Sequence, residues 1–317
     1  MDALDKQIFF ELINNCRISY RDLGKKINLS PSAVKKRMNH LEKSGFIDRY
    51  NVLLHPEKTN LRYATLMVYT DASVKVSAFK DIAVKFDGVY LILPLISGNF
   101  YVSLDYSKKS DLVAFQKLIK TIPGVLRIEL FEVFPEAANS DLPDAPEFTK
   151  SELMVLSQLA IDARMMVHDI AANIGWSTKK TRQLLQDLES KQKVVFGPLW
   201  NPNLGRDIAF NLIITYDVDT TSARKITESL NDNYPTAYFN SRVVESRSTI
   251  FAVFTLERVV DMEPIAMAVL DYTGVQSCYA ITYYNAISGK PLSRLRLERI
   301  LEKEGLWHPE MQKNLSN

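Results

Sequence analysis

The sequence predicts an α+β chain assembled twice over: two copies of a winged helix-turn-helix, each followed by a ferredoxin-like βαββαβ domain. Three observations lead there. The chain reads the same way twice at a fixed offset: Leu12 answers Leu159, Arg17 answers Arg164, Ser30 answers Ser177, and Leu41-Glu42 answers Leu188-Glu189. Each copy opens with short helical patterns and then becomes strand-rich, with two further helical patterns among the strands. Finally, 317 residues, 46% of them hydrophobic and 24% charged, suit a globular chain of several domains at roughly 100–150 residues each.

In the first copy, Leu4, Ile8 and Leu12 share one face of a helix that Phe9 and Ile13 widen. Ser19-Tyr20-Arg21-Asp22 is a capping-box pattern, in which a serine and an acid three residues on satisfy free N–H groups. It opens a second helix over Tyr20–Ile27, in which Gly24 lets another helix come close. Ser30 as N-cap and Pro31 in the first turn start a third helix. Its inner stripe is Val34, Met38 and Leu41, with Arg37 at the edge, and Gly45 ends it. Residues 46–54 then predict a strand pair or wing. A short turn between the second and third helices makes this a helix-turn-helix.

Strands are predicted over 61–70, 89–96, 100–106 and 124–134, and helices over 74–86 and 112–122. The second copy repeats that order: strands over 208–216, 238–244, 249–256 and 275–285, helices over 223–231 and 262–270. A sheet with both helices on one face must bury the other, and Leu66, Val68, Ile92 and Tyr101 compete for the two faces. Each sheet therefore needs an apolar partner, either the other copy or a second chain.

The implied segments are 1–56 (helix-turn-helix), 57–138 (ferredoxin-like), 139–147 (a linker, acidic and proline-bearing), 148–203 (a second, divergent helix-turn-helix), 204–288 (ferredoxin-like) and 289–317. The last predicts a mixed-charge helix capped by Ser293, with Leu297, Ile300 and Leu301 inward. It packs on its own chain or a neighbour, or else turns Arg294, Arg296 and Arg299 toward phosphate.

Charge follows these segments. Residues 1–56 hold 10 Lys/Arg against 6 Asp/Glu and 148–203 hold 7 against 5, whereas 204–288 hold 6 against 10. Positive charge thus gathers on the helix-turn-helix segments, as binding to nucleic-acid phosphate requires. The third helix offers Ser30, Ser32, Lys35, Lys36, Arg37, Asn39 and His40. Lysine reaches guanine edges or phosphates, asparagine pairs with adenine, and a serine at a helix N-terminus meets phosphate. The second copy offers Lys179, Lys180 and Arg182. It departs in placing Asp187 at the position of His40, Leu184 at that of Arg37, and Gln192 at that of Gly45. The two reading heads are therefore expected to be unequal, and the helix of the second to end differently.

Other chemistry finds little purchase. Cys16 and Cys278 give no disulfide framework. His40, His55, His168 and His308 fall at no metal-ligand spacing, and neither a Walker nor a Rossmann glycine pattern occurs. The start of the chain lacks the pattern of a secretory signal, and no long uncharged apolar run occurs. The expectation is a non-enzymatic cytoplasmic chain with no catalytic residue, cofactor, metal or membrane partner.

Leu4-Asp5, Cys16-Arg17-Ile18-Ser19, Leu23-Gly24, Leu29-Ser30, Val34-Lys35-Lys36-Arg37-Met38, Leu41-Glu42 and Gly45-Phe46-Ile47 together resemble the N-terminal domain of the Lrp/AsnC transcription regulators. The resemblance implies a DNA-binding regulator acting on double-stranded DNA. It also implies that the ferredoxin-like domain serves in effector binding and oligomerisation, and that chains associate as homodimers or higher homo-oligomers. Small effectors in that family bind near a glycine turn after the second strand. Gly98 matches this glycine, with Asn99 and Tyr101 as further candidates, whereas the second copy has Glu245-Ser246-Arg247-Ser248 there.

Two rival readings stand beside this one. Siroheme decarboxylases also resemble fused pairs of this kind, but they carry a His-Asn-Tyr type segment and a Trp-bearing strand. The matching stretches here, 88–93 with 99–103 and 238–242 with 249–253, hold neither His nor Trp; Arg242 alone suggests a group for a propionate. The other rival is an interaction scaffold that has lost DNA binding.

Overall fold

The computed structural model describes residues 2–133, 142–201 and 207–307. The start of the expected linker (139–141) and the tail with His308 lie outside the described residues. In chain order come α1 (Ala3–Asn14), α2 (Tyr20–Ile27), α3 (Pro31–Lys43) and β1 (Ile47–Leu54). Then follow β2 (Arg62–Thr70), α4 (Val76–Ala83), β3 (Val89–Pro94), β4 (Phe100–Tyr106), α5 (Lys109–Lys120) and β5 (Val125–Val133). The second series opens with α6 (Lys150–Ile161), α7 (Val167–Asn173), α8 (Thr178–Ser190) and β6 (Val194–Trp200). It continues through β7 (Ile208–Tyr216), α9 (Ala223–Asn233), β8 (Tyr238–Val244), β9 (Thr249–Leu256), α10 (Met262–Leu270) and β10 (Val275–Thr282). A two-residue β11 (Ile287–Ser288) and α11 (Leu292–Lys303) come last. No helix among the described residues is long and apolar enough to cross a membrane.

These elements form two compact units that cut across the copies. One gathers Met1–Lys6, Arg62–Glu136 and Asn201–Gly289; the other gathers Gln7–Leu61, Ala137–Trp200 and Lys290–Asn317. Like has folded with like: the strand-rich segments share one unit and the helix-turn-helix segments the other.

The first unit holds two antiparallel sheets, ordered β11-β3-β4-β2-β5 and β10-β7-β9-β8. Alternation along each strand sorts its residues between two layers. Leu66, Val68, Ile92 and Phe100 join Phe79, Phe115 and Ile119 under α4 and α5. Phe210, Leu212, Ile250 and Phe254 do the same with Ile226 of α9 and Val269 of α10. The odd-numbered partners face the other way. Met67, Leu93, Tyr101 and Phe131 of the first sheet meet Ala209, Ile213 and Phe251 of the second in one buried cluster. The apolar partner that each sheet requires is therefore the other sheet of the same chain. β11 extends the first sheet by pairing Ile287 with Ile92, though it comes from the end of the second strand-rich segment.

In the helical unit the expected wing takes a different form. Residues 46–54 do not fold back on themselves as a strand pair. β1 instead runs antiparallel to β6, with Val52 opposite Phe196 and Leu54 opposite Val194, so the two copies share one two-stranded sheet. Phe9 anchors it, its ring 5.0 Å from that of Phe46 and 4.9 Å from that of Trp200. Gly24 is required where α2 turns toward α3: a Cβ there would lie 2.4 Å from the Leu29 carbonyl oxygen.

α11 also corrects its expectation. Pro291 occupies the N-cap position and Ser293 is buried within the helix. Arg294, which is 3% exposed, cannot reach phosphate. Its guanidinium donates to Glu298 at 2.8 Å, to the Val52 carbonyl at 3.3 Å and to the Ala160 carbonyl at 2.5 Å. Arg296 donates to Asn60 at 2.8 Å and to the Asp144 carbonyl at 2.7 Å. Only Arg299 of the three is exposed. The helix thus ties β1 of the first copy to α6 of the second.

Candidate nucleic-acid interface

α3 begins where the sequence places it. The Ser30 hydroxyl accepts the Ala33 N–H at 3.2 Å, satisfying one of the N–H groups that a helix start leaves free. Val34, Met38 and Leu41 are buried, which fixes the opposite face outward. Ser32, Lys35, Lys36, Asn39, His40 and Lys43 line one open groove of about 450 Å³ along that face. Their spacing of three and four residues stacks them over successive turns. Ser30 joins from the helix start, its hydroxyl 3.0 Å from that of Ser32. Arg37 is half-buried and apart from the groove.

α8 has the same frame with a different outer surface. The Ser177 hydroxyl accepts the Lys180 N–H at 3.3 Å, and Thr181, Leu185 and Leu188 are buried. Lys179, Lys180 and Arg182 are exposed, but they do not converge on one groove. The Lys180 ammonium lies over the Trp176 ring, 3.6 Å from its centroid. Arg182 lines a cleft between the two copies, together with Arg17, Tyr20 and Arg164. Asp187 accepts a hydrogen bond from Gln183 at 3.0 Å. The expected difference in helix ending is absent, because Gln192 adopts a left-handed φ of 51°, close to the 75° of Gly45.

Arg17 and Arg164 had no role assigned by sequence reasoning. Each donates through Nη1 to carbonyls in the turn that follows the first helix of the other segment. Arg17 reaches Ala163 at 2.5 Å and Met165 at 3.2 Å; Arg164 reaches Cys16 and Ile18. The available signal was an arginine standing at the same position in both repeats. Burial pushes the neighbouring Cys16 thiol up to about 12, which keeps it protonated and unreactive.

The effector candidates occupy separate surroundings. Gly98 has φ 82°, and a Cβ there would lie 2.8 Å from that of Ala72. Its carbonyl accepts from the Thr70 hydroxyl and the Asn99 side-chain oxygen accepts the Thr70 N–H, each at 2.9 Å. Tyr101 lies between the sheets, edge-on to Phe251 at 5.7 Å. Arg242 reaches across the same layer, donating to the Tyr90 hydroxyl at 2.8 Å and to those of Thr65 and Ser103 at 3.2 Å.

Comparison with known proteins places these features. A model described as winged helix-turn-helix DNA-binding matches residues 1–48. The leucine-responsive regulatory protein of Haemophilus influenzae is 31% identical over 147 residues, covering 44% of this chain and 88% of that relative. The chain belongs to the Lrp/AsnC family. The counterpart in Escherichia coli is 30% identical over 154 residues, with 44% of this chain and 89% of that relative covered. As a member of the Lrp/AsnC family it is a DNA-binding transcription regulator, although a single relative accounts for less than half of its length. The siroheme decarboxylase NirDL, in co-complex with an iron-uroporphyrin III analogue, is similar over 96% of this chain and 99% of its own, with TM-score 0.55 and 11% identity. A second NirDL structure gives TM-score 0.53 at the same identity. Identity that low makes this a likeness of fold.

Proposed function

We propose that this Lrp/AsnC-family chain is an internally duplicated, non-enzymatic regulator that binds specific duplex DNA mainly through α3. In this reading it works in the cytoplasm, and its domains divide near residues 56, 138, 147, 203 and 288. The two ferredoxin-like domains, β2 to β5 and β7 to β10, hold each other, and the two helix-turn-helix copies form one reading body. The observation that carries the reading is the groove of Ser32, Lys35, Lys36, Asn39 and His40 on an exposed face. Amines there meet phosphate or guanine, and Asn39 and His40 meet base edges. Ser30 and the half-buried Arg37 support the face from its start and edge. Lys179, Lys180 and Arg182 serve as a weaker phosphate contact.

Self-association of whole chains is a separate expectation. Each sheet already has the other as its apolar partner, so a homodimer would use other surfaces; sedimentation of the intact chain at increasing concentration tests it. A response to a small effector at Gly98, Asn99 and Tyr101 has slighter support, because the turn is already bonded to Thr70.

The decarboxylase reading gains from the full-length likeness in fold. It loses on residues, because the strand-rich segments contain no histidine and Arg242 already donates to three hydroxyls of the chain. Selection from random duplex DNA, followed by titration at several salt concentrations, tests the regulator reading. Log affinity should fall linearly with log salt, at about −0.9 per phosphate neutralised. Absence of any duplex selected above background would refute it.

A further inference from the structure

The cleft between the two helix-turn-helix copies encloses about 640 Å³, within the range of small-molecule sites. Arg17 and Arg164 form part of its lining and belong to different copies. Their carbonyl bonds all run through Nη1. Among the described residues, no protein group accepts a hydrogen bond from Nε or Nη2 of either, which leaves planar donor edges that suit an oxyanion. Burial lowers the affinity of Arg17 for its proton, and the nearby positive charge of Arg164 adds to that effect, while the Glu189 and Asp162 carboxylates act the other way. An anion placed between the two guanidiniums would favour the charged form of both.

The two carboxylates of the lining each accept a hydrogen bond from a neighbour. Glu42 accepts the Tyr50 hydroxyl at 2.8 Å, and Asp162 accepts the Arg164 backbone N–H at 2.8 Å. The remaining wall is aromatic and apolar. The rings of Tyr20 and Tyr50 each lie 5.3 Å from the Arg164 guanidinium, and Met166 is 61% exposed at the mouth. An organic anion offers such a cleft both a head group for the guanidiniums and an apolar body for the wall.

We propose that this cleft binds a small organic anion, a carboxylate or phosphate group carried on an apolar body, with the head group between Arg17 and Arg164. Such a ligand touches both copies at the bonds that join them, and so bears on how α3 and α8 are held.

The test is calorimetric titration of the intact, DNA-free protein at low ionic strength with phenyl phosphate, phenylacetate and uncharged benzyl alcohol. At least one anion should bind saturably and about tenfold or more tighter than benzyl alcohol; which anion does so separates phosphate from carboxylate. Arg182→Gln should weaken it severalfold. Thr178→Trp, an exposed position on the lining, should block the mouth and abolish binding while leaving the thermal melt in place. The proposal is overturned by no saturable binding of either anion, by equal binding of benzyl alcohol, or by binding that survives Thr178→Trp. It is also overturned if Thr178→Trp alters only the affinity for duplex DNA, which would make the cleft part of the DNA path. Because the titration contains no DNA, its failure leaves the regulator reading standing.

Discussion

α3 and α8 are built on the same local frame, yet their outer faces differ. Both begin at a serine cap, both bury three residues at the same spacing, and both end in a left-handed residue. On α3 the polar side chains converge on one groove. On α8 a lysine stacks on Trp176, an arginine turns into the cleft, and Gln183 holds the aspartate. Burial constrains the inner stripe of each helix because a wrong residue there costs packing energy. Nothing comparable constrains an outer face, so the same buried stripe is compatible with two different outer surfaces.

The largest expected effect tests whether the two heads can be compared as separate bodies at all. Arg294 is bonded to a carbonyl of each copy and to the buried Glu298. Arg294→Ala should cost the helical unit about 3 kcal/mol, since it removes one partner of a buried ion pair. Urea unfolding followed by tryptophan fluorescence should show one transition at lower midpoint. Two separated transitions would mean that the copies fold independently.

The second prediction bears on the asymmetry itself. Lys35→Ala with Lys36→Ala should reduce DNA affinity by about 100-fold at low salt and flatten the salt dependence by about two phosphates. Lys179→Ala with Lys180→Ala should cost less than about tenfold, because the Trp176 stacking already engages Lys180. Equal losses at matched salt would show that the difference between the outer faces has no consequence for binding.

What the sequence made legible divides along the same lines. Local signals sufficed for α2 and α3, whose caps and stripes lie within a few residues of each other, and for the groove residues, which follow from helical spacing. The two layers of each sheet were legible as alternation, but not which residue took which layer; Leu66 and Tyr101 looked alike until the second sheet covered Tyr101. The β1–β6 pairing escaped because partners such as Val52 and Phe196 are far apart in the chain, and an apolar strand suits a hairpin equally well. The arginine exchange escaped for a related reason, since its acceptors are backbone carbonyls that carry no residue-type signature. Ser293 misled because a serine after a proline reads as a cap even where α11 buries it.

A third prediction concerns acid. Burial works to raise the Glu152 carboxyl, but the Thr149 N–H and the Lys193 ammonium outweigh it and hold the group below its ordinary 4.5. A carboxyl depressed in the folded state stabilises that state above its unfolded value, and the contribution is lost as pH falls through the folded value. The first copy has Phe46 at the position of Lys193. Glu152→Gln should cost about 1 kcal/mol at neutral pH and make stability flatter below pH 4.5. An unchanged acid limb in a pH series of urea midpoints would show that the pair contributes nothing particular to the second copy.

The smallest effect comes from the helix ends, where one backbone shape is filled by two residues. Gly45 and Gln192 both lie just past a helix, with φ of 75° and 51°. Glycine meets no Cβ penalty there, whereas glutamine brings its side chain against the neighbouring carbonyl. Against this, glycine in the unfolded chain has more freedom to lose, which offsets part of the gain. Gln192→Gly should therefore stabilise the helical unit by about 0.5 kcal/mol, and Gly45→Gln should destabilise it by about the same amount. Because neither residue lines the α3 groove, DNA affinity should stay within about twofold in both variants. A matched pair of urea midpoints moving in opposite directions would establish that the second copy kept the helix ending of the first at an energetic cost. Midpoints moving the same way would mean that Gln192 gains a contact from its side chain that a glycine lacks, and that the two endings are alike in backbone only.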